Sequence, residues 1–463
     1  MRTSRAPPSQ MAPEFALTAS TARQRSLIFP PVCVSTERRL FMIRLLNRKT
    51  LAATIAAAVA SAGTAASGAV AGASSMPSSI SVWSYYNTPG QMAFEKAAAA
   101  AFNAKFPHVK VNYLNLPFNS LDPKLLAAAA AHSGPDVVVD NPVVDFPELA
   151  AAGALANMSP YWSQLGSPNP FPPSVLWRAG GKIETVQSYV NIVALFYNKA
   201  ILRKLHLPVP KTVTQLQSEM ARVKKAGYTP LLMDGDPAVD GGWQLFPWLS
   251  NHGLTYCSLA KPSSIPTIAS SIAQLRKWEQ SGYVPSDWST LTQTTTMPIW
   301  LTGKVAFMEN GNWNISTLES SAAKAFTGVT VMPAATTKAH VLPGGEGEAV
   351  GGYSHDKQLA WDYLKYGWLS KQAGKVQLKD TGSLVSRTDL TSYVNKFALE
   401  GTFLTEVQNG LGKWPVNKQV DKIATDFGNV WSGFAGGSGS PQSAARSIQT
   451  TIAGDLAAGG GGC

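Results

Sequence analysis

Ile80-Ser81-Val82-Trp83, then Ser84-Tyr85-Tyr86-Asn87-Thr88-Pro89-Gly90, then Gln91 to Phe106: a strand-like run breaks into a polar and aromatic turn and passes into a helix-like segment. This order predicts a β-strand followed by an α-helix, with two tyrosines at the carboxyl end of the strand, the edge at which open parallel sheets take ligands. The pattern repeats. Val109, Val111 and Tyr113 alternate with period two, and Leu121 to His132 is an alanine-rich helix former closed by Ser133-Gly134-Pro135, where glycine and then proline stop a helix. Asp136-Val137-Val138-Val139-Asp140 follows as a short continuous apolar strand of the kind buried in a parallel sheet. Asn141-Pro142 turns the chain, and Val144 to Ala152 is helix-like up to Gly153. Strand and helix in strict alternation predict a doubly wound α/β lobe.

Further along, Ile183 to Val186 and Ile192 to Phe196 run nearly end to end around Tyr189-Val190-Asn191. A chain that crosses between lobes without ending a strand has this form. Helix-like Leu216 to Ala226, the Trp243 to Trp248 stretch and Ile272 to Gln280 are expected in a second lobe. Lys304 to Met308 is a later strand, Pro343 to Gly347 a loop by composition, and Lys357 to Ser370 a helix with Trp361, Leu364 and Trp368 on one face. Ser443 to Ala458 is the last helix before a Gly-rich tail. No repeat has a solenoid period.

The 463 residues, 45% apolar and 9% aromatic, suffice for two or three packed domains. The formal charge of +11 is concentrated at the start: residues 1–75 hold nine Lys/Arg against two Asp/Glu, leaving 30 basic and 26 acidic residues beyond. No basic stripe remains to track phosphates, which argues against a nucleic-acid partner. Arg44, Arg48 and Lys49, the apolar run from Leu51 to about Ala60, and Ala69-Val70-Ala71 read as a secretory signal over 42–71, so the mature chain is expected to begin near Gly72. Residues 1–41 read as a pre-sequence, although Arg38-Arg39-Leu40-Phe41-Met42 also resembles a twin-arginine motif. Cys33 lies in no lipoprotein box. Cys257 and Cys463 are expected as free thiols, a disulfide between them being the alternative. The six histidines are scattered, and no metal or other cofactor is expected.

Enzyme motifs fail on inspection. Ser321-Ala322-Ala323-Lys324 lacks its companion motifs, Gly436 to Ser440 breaks Gly-x-Ser-x-Gly at the last place, and Gly344 to Gly352 has neither dinucleotide nor P-loop spacing. What the chain offers is aromatic and amide chemistry. A sugar lays C–H faces on Trp or Tyr rings and presents hydroxyls to Asp, Asn, Glu, Gln or Arg. Thirteen Trp and thirteen Tyr supply the rings, several beside amides or acids: Tyr85-Tyr86-Asn87, Asp240-Gly-Gly-Trp243-Gln244, Asp287-Trp288 and Asn310-Gly-Asn312-Trp313-Asn314.

Several segments in order carry a resemblance: Val82-Trp83, Gly134-Pro135-Asp136-Val137, Leu195-Phe196-Tyr197-Asn198-Lys199, Pro210 to Leu216, Gly303 to Met308, Gly311-Asn312-Trp313, Gly351-Gly352, Ala360 to Leu364 and Gly382 to Arg387. Together they resemble the family 1 extracellular solute-binding proteins of ABC importers, the sugar-binding group that includes maltose-binding protein, over about residues 79–430. Phe196-Tyr197-Asn198-Lys199 is similar to the family's Tyr-Tyr-Asn-Lys, whereas Val213 and Gln215 depart from its Pro-x-Thr-Trp-x-Glu-Leu and Val385-Ser386 from its usual Pro-Val.

The resemblance implies an α/β protein of the two-lobe periplasmic-binding-protein fold, type II-like, with a doubly wound sheet in each lobe and the ligand cleft at the hinge. It divides the chain into 79–188 with about 301–350 as the N-terminal lobe, 192–298 with about 353–458 as the C-terminal lobe, and a tail at 459–463. Carried over by position, it puts Tyr85 or Tyr86, Asp140 or Asn141, Tyr189, Trp243, Asn312 and Trp313, Gly352 and Tyr353, and Arg387 at the cleft. It implies an exported, periplasmic or cell-surface monomer without catalysis that captures a mono- or oligosaccharide by hinge closure and delivers it to ABC permease membrane subunits. A glycerol phosphodiester, a polyol or a polyamine is the alternative cargo. A polyamine would need several cleft carboxylates, for which Asp140 and Asp240 are the main candidates. A secreted carbohydrate-active hydrolase and a surface adhesion protein are the alternatives of another class.

Overall fold

The computed structural model describes residues 79–462 except 395, 396, 398 and 416. The signal segment, the paired arginines and Cys463 lie outside the described residues. Along the chain the strands are β1 (Ser79–Ser84), β2 (Lys110–Asn115), β3 (Val137–Asp140), β4 (Leu176–Ala179), β5 (Lys182–Gln187), β6 (Tyr189–Val190) and β7 (Val193–Asn198). They continue as β8 (Thr229–Leu232), β9 (Val305–Gly311), β10 (Thr327–Thr330), β11 (Gly347–Val350) and β12 (Leu384–Val385).

The opening unit forms as its residues dictate. Thr88 caps the helix Pro89–Asn103 by accepting from the Gln91 amide, and the Gln91 side chain accepts from the Thr88 amide in return, with proline in the first turn. β1 lies between β2 and β3, parallel to both. All four residues of β3 are buried, because this part of the sheet is covered on both faces; each such valine contributes roughly 1.5 kcal/mol or more of apolar transfer. The sheet runs β2-β1-β3-β11-β5-β4, with β11 antiparallel to β3 and β5 and β4 antiparallel to β5. The second sheet runs β10-β7-β9-β8, with β8 parallel to β9 and the other pairs antiparallel.

Each sheet has its own apolar core, and three segments pass between them. The first runs from β5 through β6 into β7, the second from Leu342 into β11, and the third along the helix Lys371–Thr381, whose Ala373 packs in the first core and Leu378 in the second. β6 and β12 pair antiparallel across this hinge.

The division of the chain between the lobes differs from the expected bounds. β9 and β10 join β7 in the second sheet, and of 301–350 only β11 lies in the first sheet. Conversely, the helix Lys357–Tyr363 and its wide turn Leu364–Trp368 bury Trp361, Leu364 and Trp368 in the first core. Strand and helix periodicities report an element's type and buried face, not which sheet receives it. Cys257 also departs from expectation: it is disulfide-bonded, and the other two cysteines of the chain lie outside the described residues.

Candidate functional site

β1 and β3 point their carboxyl ends the same way, so the turns after them open on one side of the first sheet. The start of the helix Ala238–Ser250 faces them from the second lobe across a cavity of about 290 Å³. The first lobe contributes Tyr85, the Asn87–Gln91 helix start, Phe118 and Asn119 at the next helix start, and Asn141. The second lobe contributes Asp236, Asp240, Trp243, Thr292 to Thr294, Trp313 and Trp414. Asn191, Gly344 and Gly345 of the crossing segments complete it.

Three of the aromatic groups are held on one strap of main chain. Trp243 Nε1 donates to the Leu342 carbonyl at 2.9 Å, Trp414 Nε1 to that of Pro343 at 2.7 Å, and the Tyr85 hydroxyl to that of Gly345 at 3.2 Å. The Gly344 carbonyl accepts from Gln187 Nε2 and from the Asn191 amide. Rings from both lobes are thereby fixed before any ligand arrives, which lowers the ordering cost of binding. Glycine is required at Gly345, where φ is 141° and a Cβ would stand 2.2 Å from the Tyr189 carbonyl. Trp243 and Trp313 stack with centroids 5.5 Å apart and planes at 25°.

Asn191 ties the hinge together. Its Nδ2 donates to Glu346 Oε1 at 3.1 Å, its Oδ1 accepts from the Ser383 hydroxyl at 2.9 Å, and its main chain pairs with Gly344 in both directions.

The cavity's charge is acidic. Asp236 and Asp240 line it, and among the described residues no Lys, Arg or His does so. Burial, and then the neighbouring Asp236, push the Asp240 carboxyl up to about 7. Asp234, behind them, accepts from the Asp236 amide and from Gln244 Nε2, and burial raises it well above the usual carboxylate range. Asn141 and Gln293 also line the cavity, and their Oδ1 and Nε2 atoms are buried with no hydrogen-bond partner among the described residues.

Of the residues expected at the cleft, Tyr85, Asn141, Trp243 and Trp313 come together in this cavity. The other seven lie elsewhere. Tyr86 falls on the opposite face of the strand end from Tyr85 and is fully buried, accepting from Gln377 Nε2 with its ring 5.4 Å from that of Trp368. Asp140 is sealed into the sheet, paired in register with Gly347. Tyr189 is core, its hydroxyl on the Trp368 carbonyl. Asn312 is a hinge pin: Oδ1 accepts from the Ile192 amide, and Nδ2 donates to the Val190 and Gly382 carbonyls. Gly352 and Tyr353 follow β11, whose antiparallel course delivers them to the edge where β3 begins; there Gly352 bonds Ala154 and the Tyr353 ring lies 5.5 Å from that of His132. Arg387 bonds the Leu369 carbonyl and pairs with Asp389.

Asn191, Trp414, Phe118 and the Thr292–Thr294 turn were not among the expected site residues. Asn191 stood in the Tyr189-Val190-Asn191 crossing, and Thr292 has the helix N-cap signature; Trp414 carries no local pattern.

Residues 97–396 match the family described as bacterial extracellular solute-binding protein. The chain belongs to that family. Among its relatives is the glucose-binding protein GlcS of Saccharolobus solfataricus, 29% identical over 207 residues, which are 40% of this chain and 35% of GlcS. The multiple sugar-binding protein of Streptococcus mutans is 23% identical over 304 residues, 61% of this chain and 70% of its own length. The match thus spans only about a third of the length of GlcS. Among solved structures, the GacH receptor of Streptomyces glaucescens superposes with a TM-score of 0.72 at 23% identity, covering 82% of this chain and 99% of that one. Maltose-bound MalE3 of T. maritima does so at 0.72 and 16% identity, covering 81% and 98%. These likenesses establish the two-lobe α/β fold of the maltose-binding-protein type for this family member.

Proposed function

We propose that this family member is the capturing component of an ABC import system and that its cargo is a carbohydrate, held between the lobes by hinge closure and handed to a membrane permease. The observation that carries the reading is the cleft itself: five aromatic side chains and a set of Asn, Gln, Thr and Asp groups face one cavity where two lobes meet. Flat rings and bidentate polar groups are the chemistry of sugar recognition. The relatives, a glucose-binding and a multiple sugar-binding protein, support the same class, as do fold neighbours that hold acarbose or maltose or bind chitin oligosaccharide. Export by the signal over 42–71, a mature start near Gly72 and action as a monomer without catalysis belong to the same reading.

A thermal-shift screen of the chain from Gly72 against mono- and oligosaccharides, polyols, glycerol phosphodiesters and polyamines tests it. A ligand that binds only the folded form raises the melting temperature by mass action. The expected result is a rise of several degrees with a sugar that is recovered intact. A rise with a polyamine or phosphodiester alone, or a sugar consumed during the assay, contradicts the reading.

A further inference from the structure

The charge and hydrogen-bond character of the cavity narrows the cargo further, on the footing of the carbohydrate reading. Four helices present their first turns to it: those beginning at Pro89, Phe118, Ala238 and Gln293, through Thr88 and Gln91, Phe118 and Asn119, Val239 and Asp240, and Thr292 to Thr294. Each helix start carries the positive end of a macrodipole, although Thr88 and Thr292 cap an amide at two of the four. Such a convergence left alone attracts carboxylate and phosphate groups. Here it is opposed. Asp236 precedes the helix Ala238–Ser250 and Asp240 lies in its first turn, whereas the other three helices have no acidic residue in theirs. Neither carboxylate has a basic partner within ion-pair distance among the described residues.

We infer that Asp236 and Asp240 are specificity determinants that make the cleft select uncharged sugars and reject their acidic counterparts. The acceptor balance points the same way. Ionised, the Asp236 and Asp240 carboxylates on the cavity wall require donors. A sugar hydroxyl donates and accepts, whereas an ionised carboxylate or phosphate only accepts. An acidic sugar therefore meets like charge and leaves acceptors unpaired, which is discrimination by repulsion as well as by fit. Glycerol phosphodiesters are disfavoured for the same reason.

The test is calorimetric titration of the chain at about pH 8, above the value of about 7 to which burial pushes Asp240, with glucose, maltose, cellobiose and chitobiose against glucuronate, galacturonate and glucose 6-phosphate. The wild type is expected to bind at least one neutral sugar about 100-fold more tightly than any of the acids. In Asp236→Asn/Asp240→Asn that ratio is expected to fall by about tenfold or more, with the acids gaining in absolute affinity as the helix starts are unmasked. Loss of a hydroxyl contact alone cannot produce that gain. The two single variants answer the same question should the double variant fold poorly. Equal wild-type binding of neutral and acidic sugars, or a folded variant that binds sugar with the ratio unchanged, overturns the inference while leaving the carbohydrate reading intact. Wild-type binding to no sugar in the panel overturns that reading and the inference with it.

Discussion

Moving the protein from about pH 8 to about pH 5 is expected to raise its melting temperature, because the fold buries carboxyl groups without cations beside them. Glu309, Glu346, Glu348, Glu400 and Glu406 are all buried, and none has a basic side chain within ion-pair distance among the described residues. Four of them are served by neutral donors, Trp248 Nε1 at 2.6 Å to Glu309, Ser188 at 2.6 Å to Glu348, Asn191 at 3.1 Å to Glu346 and the Met332 amide at 2.6 Å to Glu406, and neither Glu400 oxygen has a hydrogen-bond partner among the described residues. Burial, the largest cause in each case, pushes Glu309 up to about 8, Glu346 and Glu406 up to about 7, and Glu348 and Glu400 well above the usual range.

A raised carboxyl pKa means that the folded chain holds a proton which the unfolded chain releases at lower pH. The stabilisation is therefore complete below the unfolded value and is lost as pH rises through the folded one, here between about 4.5 and about 8, at roughly 1.4 kcal/mol per pH unit for each such group. Opposing groups are few. Burial lowers His252, which favours the folded state at higher pH. Asp389 is lowered by Arg387, but Asp389 is solvent-exposed and the pair is worth little. Thermal unfolding followed across this range should show the maximum on the acid side. A maximum at about pH 8 that declines steadily toward about pH 5 would contradict the assignment.

Gly428→Ala is expected to lower stability by about 3 kcal/mol and to weaken ligand binding together with it. The helix Val420–Ala435 crosses the cleft helix Ala238–Ser250 so closely that a Cβ on Gly428 would stand 1.6 Å from the Ala238 carbonyl oxygen and 3.0 Å from the Gly242 amide. On the facing helix, a Cβ on Gly242 would stand 2.9 Å from Phe427. Ala238 already sits at φ 69°, a left-handed conformation that costs a residue with a Cβ on the order of 1–2 kcal/mol and leaves little room for the junction to give. Alanine's better helix propensity is worth only about 1 kcal/mol, too little to offset moving two helices apart. Because the displaced helix carries Asp240 and Trp243 into the cavity, melting temperature and sugar affinity should fall together. Unchanged values of both would mean that the helices are not in close contact.

The fold was legible where one residue type does one physical job. The strand, turn and helix order from Ile80 to Phe106, the continuous valines of β3 and the β-rich crossing around Tyr189 each carry a local signal that the structure follows. Which lobe receives β9, β10 and the Lys357 helix is decided by tertiary packing, for which local periodicity holds no information. At the site, Tyr85 and Tyr86 are adjacent and chemically alike, and strand alternation sends one to the cavity and the other into the core. The resemblance puts Gly352 and Tyr353 at the cleft, but the antiparallel direction of β11 takes them to the far edge. Trp414 stands outside any periodic segment, and its place is set by tertiary contacts, the bond to Pro343 and the stack on Tyr256.

The most direct measurement is a crystal structure of the complex with the sugar that gives the largest thermal shift. The account expects that sugar between the lobes, a ring face on Trp243, Trp313 or Trp414, with hydroxyls donated to Asp236 or Asp240 and a contact to Asn191. A sugar bound outside this cavity, or bound in it with no contact to the second-lobe tryptophans and carboxylates, would contradict it.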